Sequence, residues 1–249
     1  MTAFLLFAFL AADTDQIAAA HDATGRAEFA AGRYRSAQKH FQAAMKTPGQ
    51  SDASLAAVLA NAAQAAFALE EYAEAETLTR RAAALAPDWP GQWQQLAQVL
   101  MARGKDGEAE LALLQALSVR ETAAVLSDLG VLAERRKRMA KALEYFTRAE
   151  VLAKPGVERA RILANLGVAR GRMGDKAGAV ESLGRAVSEL ETNHPDLERV
   201  LWGYSEALSK LGRKAEAREA TRRAESIRSA FAGQTNALGA SVRVSDLAR

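Results

Sequence analysis

The sequence predicts an all-α chain: a solenoid of about six stacked helix hairpins. Three observations carry this. Alanine and leucine dominate an apolar fraction of 49%, while aromatics make up only 6% and prolines number five in 249 residues. Alanine and leucine are strong helix formers, and so few prolines leave long runs unbroken. Alanine also recurs in pairs seven residues apart: Ala37 and Ala44, Ala75 and Ala82, Ala109 and Ala116, Ala142 and Ala149, Ala179 and Ala186, Ala217 and Ala224. The first members of successive pairs stand 33 to 38 residues apart. Finally, a small residue stands twelve places before each pair, at Gly25, Ala63, Ala97, Gly130, Gly167 and Ser205.

The periodicity has a physical cause. Residues i, i+4 and i+7 share one helix face, so each alanine pair forms one stripe with the residue between its members: Phe41, Thr79, Leu113, Phe146, Leu183 or Thr221. A stripe of small residues facing a small residue on the preceding helix lets two backbones approach closely. Each unit is therefore a hairpin, and one hairpin cannot bury both of its faces unless the next stacks on it.

Taken in order, the first helices are expected over roughly 16–31, 53–69, 91–103, 122–136, 157–173 and 196–211. Their partners are expected over roughly 34–46, 72–86, 106–119, 139–153, 176–191 and 214–231. The units so defined are 16–48, 53–87, 90–120, 122–154, 157–191 and 196–231. Gly32, Gly104, Gly174 and Gly212 fall between the halves, where a helix C-cap favours glycine. Glu70 and Lys137 replace that glycine in the second and fourth units, and those turns are expected to be strained or differently shaped. Pro48, Pro87, Pro155 and Pro195 punctuate the connections.

The two ends depart from the repeat. Thr2 to Ala12 is uncharged and apolar, and eleven residues are too few to cross a bilayer core of about 30 Å. The length suits the apolar region of a cleaved secretory signal over residues 1–12, with Leu10 and Ala12 where small residues precede a cut. No Lys or Arg precedes the run, and the competing reading is an apolar helix covering the first exposed face of the fold. Export to a periplasm or the exterior, in a bacterial-type cell, is the localisation expected if the signal operates. A cytoplasmic location follows otherwise. Residues 232–249 are polar, with glycines at 233 and 239, and are expected to form a flexible tail beyond the 13–231 solenoid.

Several function classes are disfavoured. There is no cysteine, and the histidines, His21, His40 and His194, lack the spacing of a metal pair on a helix face. No catalytic constellation or phosphate-cradling glycine loop occurs, so neither an enzyme nor a cofactor or metal site is expected. Gly203–Ala207 reads GYSEA, but a nucleophile elbow needs a strand-to-helix turn and this segment lies mid-helix. The net charge of +3 is small, and the basic run Arg135, Arg136, Lys137, Arg138 and Lys141 falls in a turn without interleaved aromatics. That reads as a solvated turn, and no nucleic-acid partner is expected.

The third unit carries Trp93, Leu96, Ala97, Leu100, Gly104, Ala109, Leu113 and Ala116, and the first carries Gly25, Gly32, Tyr34, Ala37, Phe41 and Ala44. In this pattern the chain resembles the tetratricopeptide repeat family over about 16–231. The longer His194-Pro195-Asp196 connection resembles the kinesin-light-chain-type variety. The resemblance implies a right-handed α-α superhelix whose concave groove, lined by the first helix of each hairpin, binds a peptide or helix of a partner protein. The groove positions it implies are Asp22, Arg26, Phe29, Ala60, Gln64, Phe67, Gln94, Gln98 and Met101 in the N-terminal half. In the C-terminal half they are Ser127, Val131, Glu134, Arg161, Ala164, Val168, Arg172, Trp202 and Glu206. A chaperone-type carboxylate clamp is not implied, because Asp22 and Arg26 stand where it needs lysine and asparagine, and Asn61 alone matches. Trp202 has two readings, packing on its own hairpin or exposure as an aromatic anchor. The function implied is a non-catalytic protein-binding scaffold. A cytoplasmic adaptor of the same fold is the alternative, and a helical-repeat RNA binder ranks behind it.

Overall fold

The computed structural model describes residues 2–192 and 194–237, with side chains described over 16–230 apart from Asn193. Among these residues there are twelve α-helices and no strand. They form two compact units, Met1–Glu121 and Thr122–Arg249. The first unit contains α1 (Thr2–Ala30), α2 (Tyr34–Met45), α3 (Asp52–Ala68), α4 (Tyr72–Leu85), α5 (Pro90–Ala102) and α6 (Asp106–Val119). The second contains α7 (Ala123–Arg135), α8 (Met139–Leu152), α9 (Val157–Arg172), α10 (Lys176–Glu189), α11 (Pro195–Leu211) and α12 (Lys214–Ala237). Each unit is three hairpins. Within the first, every helix packs on the next, and α1 also touches α3 and α3 touches α5. The second unit repeats the arrangement, with α7 on α9 and α9 on α11.

Local chemistry sets the helix ends. Ser51, Thr122 and Asp175 cap α3, α7 and α10 by accepting from the backbone N–H of Ser54 (3.2 Å), Val125 (3.2 Å) and Gly178 (2.8 Å). Pro90 and Pro195 each open a helix, where the missing N–H costs nothing, so Pro195 belongs to α11 itself and not to the connection before it. The inner turns of all six hairpins place one residue in the left-handed region: Gly32, Glu70, Gly104, Lys137, Gly174 and Gly212. Glu70 (φ 62°) and Lys137 (φ 58°) keep the same turn shape as the glycines. Glu70 N–H donates to Phe67 and Glu71 N–H to Ala66, and Lys137 and Arg138 donate likewise to Glu134 and Ala133. The shape is kept, and the strain lies in the left-handed backbone at two side-chain-bearing residues.

Both chain ends extend past the expected limits. Helix α1 begins at Thr2, and α12 runs to Ala237, so the backbone of 232–237 is helical. Residues 238–249, the rest of the expected tail, lie outside the described residues.

The alanine stripes form the core. Every paired alanine is buried, as are Phe41, Leu113, Phe146 and Leu183 between them. The facing small residues set how close the helices come. A Cβ on Gly25 would lie 2.5 Å from Phe41, on Gly130 2.4 Å from Phe146, and on Gly167 2.7 Å from Leu183. Where the intervening residue is polar its hydroxyl is satisfied: Thr79 donates to the Ala75 carbonyl at 2.9 Å, and Thr221 shares a hydrogen bond of 2.8 Å with the hydroxyl of the facing Ser205, which itself donates to the Ala217 carbonyl at 2.8 Å.

One carboxylate in each unit ties helices together: buried Glu76 between neighbouring hairpins, and half-buried Glu189 within its own hairpin. Glu76 on α4 pairs with Arg80 (2.8 Å), Lys105 (2.8 Å) and Arg103, the last two from the inner turn of the next hairpin. Burial alone would raise its pKa, but hydrogen bonds from Lys105, Arg80 and Arg103 outweigh it and hold the carboxyl down to about 2. Glu189 at the end of α10 pairs with Arg159 and accepts from the N–H of Gly156 at 2.6 Å. There too burial pushes up, and Arg159 and the Gly156 N–H bring the pKa below its usual value.

Candidate binding clefts

The first helices of the first unit bring part of the expected set together. Phe29 from α1, Gln64 and Phe67 from α3, and Gln98 from α5 line one cleft of about 190 Å³, floored by Ala63, Ala68 and Val99. Each phenylalanine is held by the tyrosine that opens the second helix of its hairpin: Phe29 lies 5.1 Å from Tyr34, and Phe67 5.3 Å from Tyr72, edge to face. That contact fixes one side of each ring. Phe67 is still 38% exposed, a large apolar surface facing water beside two exposed amides, Gln64 and Gln98.

Gln95 also lines this cleft, a residue the repeat positions do not select. Its side-chain N–H donates to the carbonyl of Ala60 at 2.7 Å, joining α5 to α3 beneath the rim. Arg26 points elsewhere: it pairs with Asp22 at 3.0 Å, and Asp22 accepts from Asn61 at 2.7 Å. Asn61 is thus engaged within the fold. Gln94 and Met101 are half-buried on α5 and lie outside the cleft lining.

In the second unit the expected positions are mostly engaged with one another. Glu134 at the end of α7 pairs with Arg172 at the end of α9. Arg161 pairs with Asp196 at 2.5 Å, and Glu206 with Lys210 at 2.6 Å. Val168, Arg172 and Glu206 line a second cleft of about 220 Å³ with Gly167, Lys176 and Ala179, where α11 lies against α9 and α10. Val131 is half-buried against the cluster around Phe146 and Ala133. Trp202 is half-buried against the core of the last two hairpins. Its indole N–H donates to Glu198 at 3.3 Å, and the Arg228 guanidinium lies 5.3 Å from the ring centre. Of the two sequence readings of Trp202, these contacts match packing on its own hairpin.

His21 and His40, nineteen residues apart in sequence, come together with ring centres 6.4 Å apart, a pairing their spacing did not suggest. Among the described residues no group of three or more His, Asp or Glu is arranged to hold a metal ion, and no helix is long and apolar enough to cross a membrane.

Comparison with known proteins points one way. Residues 95–156 match the family model for the tetratricopeptide repeat. No curated protein matches the sequence. Among solved structures, the Cut9–Hcn1 hetero-tetramer of the APC/C aligns with a TM-score of 0.73 at 18% identity, covering 90% of this chain and 42% of that one. The chain therefore spans less than half the length of that protein. The protein pilF of Pseudomonas aeruginosa aligns with a TM-score of 0.69 at 17% identity, over 85% of this chain and 90% of that one. YrrB, described as a TPR protein with an unusual peptide-binding site, aligns with a TM-score of 0.54 at 16% identity, over 75% and 91%. At these identities the likeness is one of fold.

Proposed function

Because this chain is built of tetratricopeptide repeats, we propose that it is a non-catalytic scaffold that binds a peptide or helix of a partner protein in the α1–α3–α5 cleft. The repeat fold is one used for protein–protein interaction, and among its structural relatives is one described by its peptide-binding site. The observation that carries the assignment to this cleft is the half-exposed Phe67 ring, pinned on one side by Tyr72 and flanked by Phe29 and two exposed glutamines. At about 190 Å³ the cleft is smaller than the ~300–1,000 Å³ typical of small-molecule sites, and it suits one or two side chains of a longer polypeptide. A partner side chain laid against Phe67 and Phe29 would bury apolar surface on a rigid aromatic platform, the usual source of binding hot spots. Gln64 and Gln98 can each donate and accept a hydrogen bond, which would set the register of an extended segment.

Export belongs to the same proposal: residues 1–12 act as a cleaved leader, and the mature chain begins near Asp13. The mass of the protein recovered from its native host tests this directly, and a chain retaining residues 1–12 refutes it. For the cleft, capture from native extract with the wild-type chain is compared with Phe67→Ala. Loss of one aromatic anchor is expected to weaken retention of the partner about tenfold or more. Melting should fall by little, since the ring is already part exposed. Equal capture by both proteins would remove this cleft from the function.

A further inference from the structure

The last hairpin offers a second docking surface, separate from the cleft at Phe67. Its basis is internal to the fold. Gly167, Gly171, Lys176, Ala179 and Leu183 on α9 and α10 line the cleft that α11 covers, with Gly203, Glu206, Ala207 and Lys210 as the covering residues. One repeat later, the same five positions are Ser205, Ser209, Lys214, Ala217 and Thr221 on α11 and α12, and they line a cleft of about 800 Å³. The first cleft retains about 220 Å³ beside the helix that covers it. Among the described residues the second is open.

Among the described residues no helix closes it by the route used before. Helix α10 stops at Glu189, the chain turns, and α11 folds back from Pro195. Helix α12 passes the corresponding point without a break and runs to Ala237. Among the described residues a helix-shaped seat is therefore left on α11 and α12.

Its chemistry has also become more polar and more basic. The positions of Val180 and Gly184 on α10 become Arg218 and Arg222 on α12, so Lys214, Arg218 and Arg222 follow one another a turn apart. All three are exposed and line the cleft with Ser205, Ser209 and Thr221, and no acidic residue does so. Arg222 has an exposed partner, Glu219, at 2.6 Å, a solvent-screened pair that is easily exchanged. A face kept polar only to stay in water needs no single sign of charge. A cleft with the outline of a helix and three aligned cations fits an amphipathic helix carrying carboxylates a turn apart.

We propose that the α11–α12 face docks an acidic amphipathic helix of a partner protein, in the position that α11 occupies on the preceding hairpin. Small residues on that helix would seat over Ala217, as Gly203 and Ala207 do on α9 and α10, and its carboxylates would pair with Lys214, Arg218 and Arg222.

The test uses the full chain and three fluorescent synthetic peptides in an anisotropy titration. One is an alanine-rich helix with glutamate at every fourth position on one face. The second has lysine in their place. The third has the composition of the first, scrambled and interrupted by proline. The acidic helix alone should bind, and Arg218→Glu with Arg222→Glu should weaken it about tenfold or more. Phe67→Ala should leave this binding unchanged, which separates its failure from failure of the first cleft. Equal binding of the scrambled peptide would reduce the effect to bulk charge, and an acidic helix that fails to bind would sink the proposal. So would a wild-type dimer, seen by sedimentation, that the charge reversal dissociates, since the occupant would then be a second copy.

Discussion

A glycine packed against a buried ring is a sensitive place to perturb the fold. Gly130 sits inside α7, and an added Cβ would lie 2.4, 2.6 and 2.9 Å from three ring carbons of Phe146. Carbon atoms prefer about 3.5–4.0 Å, so the ring must move by an ångström or more. Phe146 is fully buried, so the ring moves only by displacing its packed neighbours. Overfilling of this kind costs about 1–3 kcal/mol, against a gain of up to about 1 kcal/mol from replacing a helical glycine with alanine. Gly130→Ala should therefore destabilise by about 1–2 kcal/mol net. The chain itself indicates the remedy, because the third hairpin pairs Ala97 with Leu113 at the same two positions, both buried. Phe146→Leu alone should cost about 1 kcal/mol for the lost ring carbons. In the double variant the clash is gone and the helix preference of alanine remains, so it should be at least as stable as Phe146→Leu. Urea denaturation followed by far-ultraviolet circular dichroism measures all four members of the cycle. A Gly130→Ala midpoint at or above wild type would refute the packing argument, as would a double variant that merely sums the two single losses.

Two further outcomes are expected. Glu76→Gln leaves Arg80, Arg103 and Lys105 without their shared counter-charge and should cost about 1–3 kcal/mol near neutral pH. Because the folded pKa lies below its ordinary 4.5, at about 2, the carboxylate's contribution is complete above about 4.5 and fades as pH falls toward 2. Glu189, also held low, acts in the same direction. Denaturation midpoints of wild type and Glu76→Gln should converge over that acid window, and curves that stay parallel would contradict the assignment. Glu70→Gly and Lys137→Gly relieve left-handed strain in otherwise unchanged turns. Each should raise stability by about 0.5–1 kcal/mol by the same denaturation assay, and a loss would mean that the side chains contribute more than the backbone strain costs.

The hairpins, their order and nearly all their boundaries can be read from the residues alone, because the forces that set them are local. Ser51, Thr122 and Asp175 cap the helices they precede, and the alanine stripes need only a fixed helical period to end on one face. Even the turns at Glu70 and Lys137 stand out as exceptions for the same reason: the turn needs a left-handed residue, and the place is visible by its missing glycine. The clefts are different. Phe29, Gln64, Phe67 and Gln98 converge in the first unit, whereas Arg161 and Arg172 end on the carboxylates of Asp196 and Glu134. Trp202 packs inward under Arg228, which comes from α12, the other helix of its hairpin. These partners lie far apart along the chain, 35 residues for Arg161 and Asp196, 38 for Arg172 and Glu134, and 26 for Trp202 and Arg228. Which long side chain finds which partner depends on how one hairpin seats on the next, and that is settled by packing between helices, where no local pattern reaches.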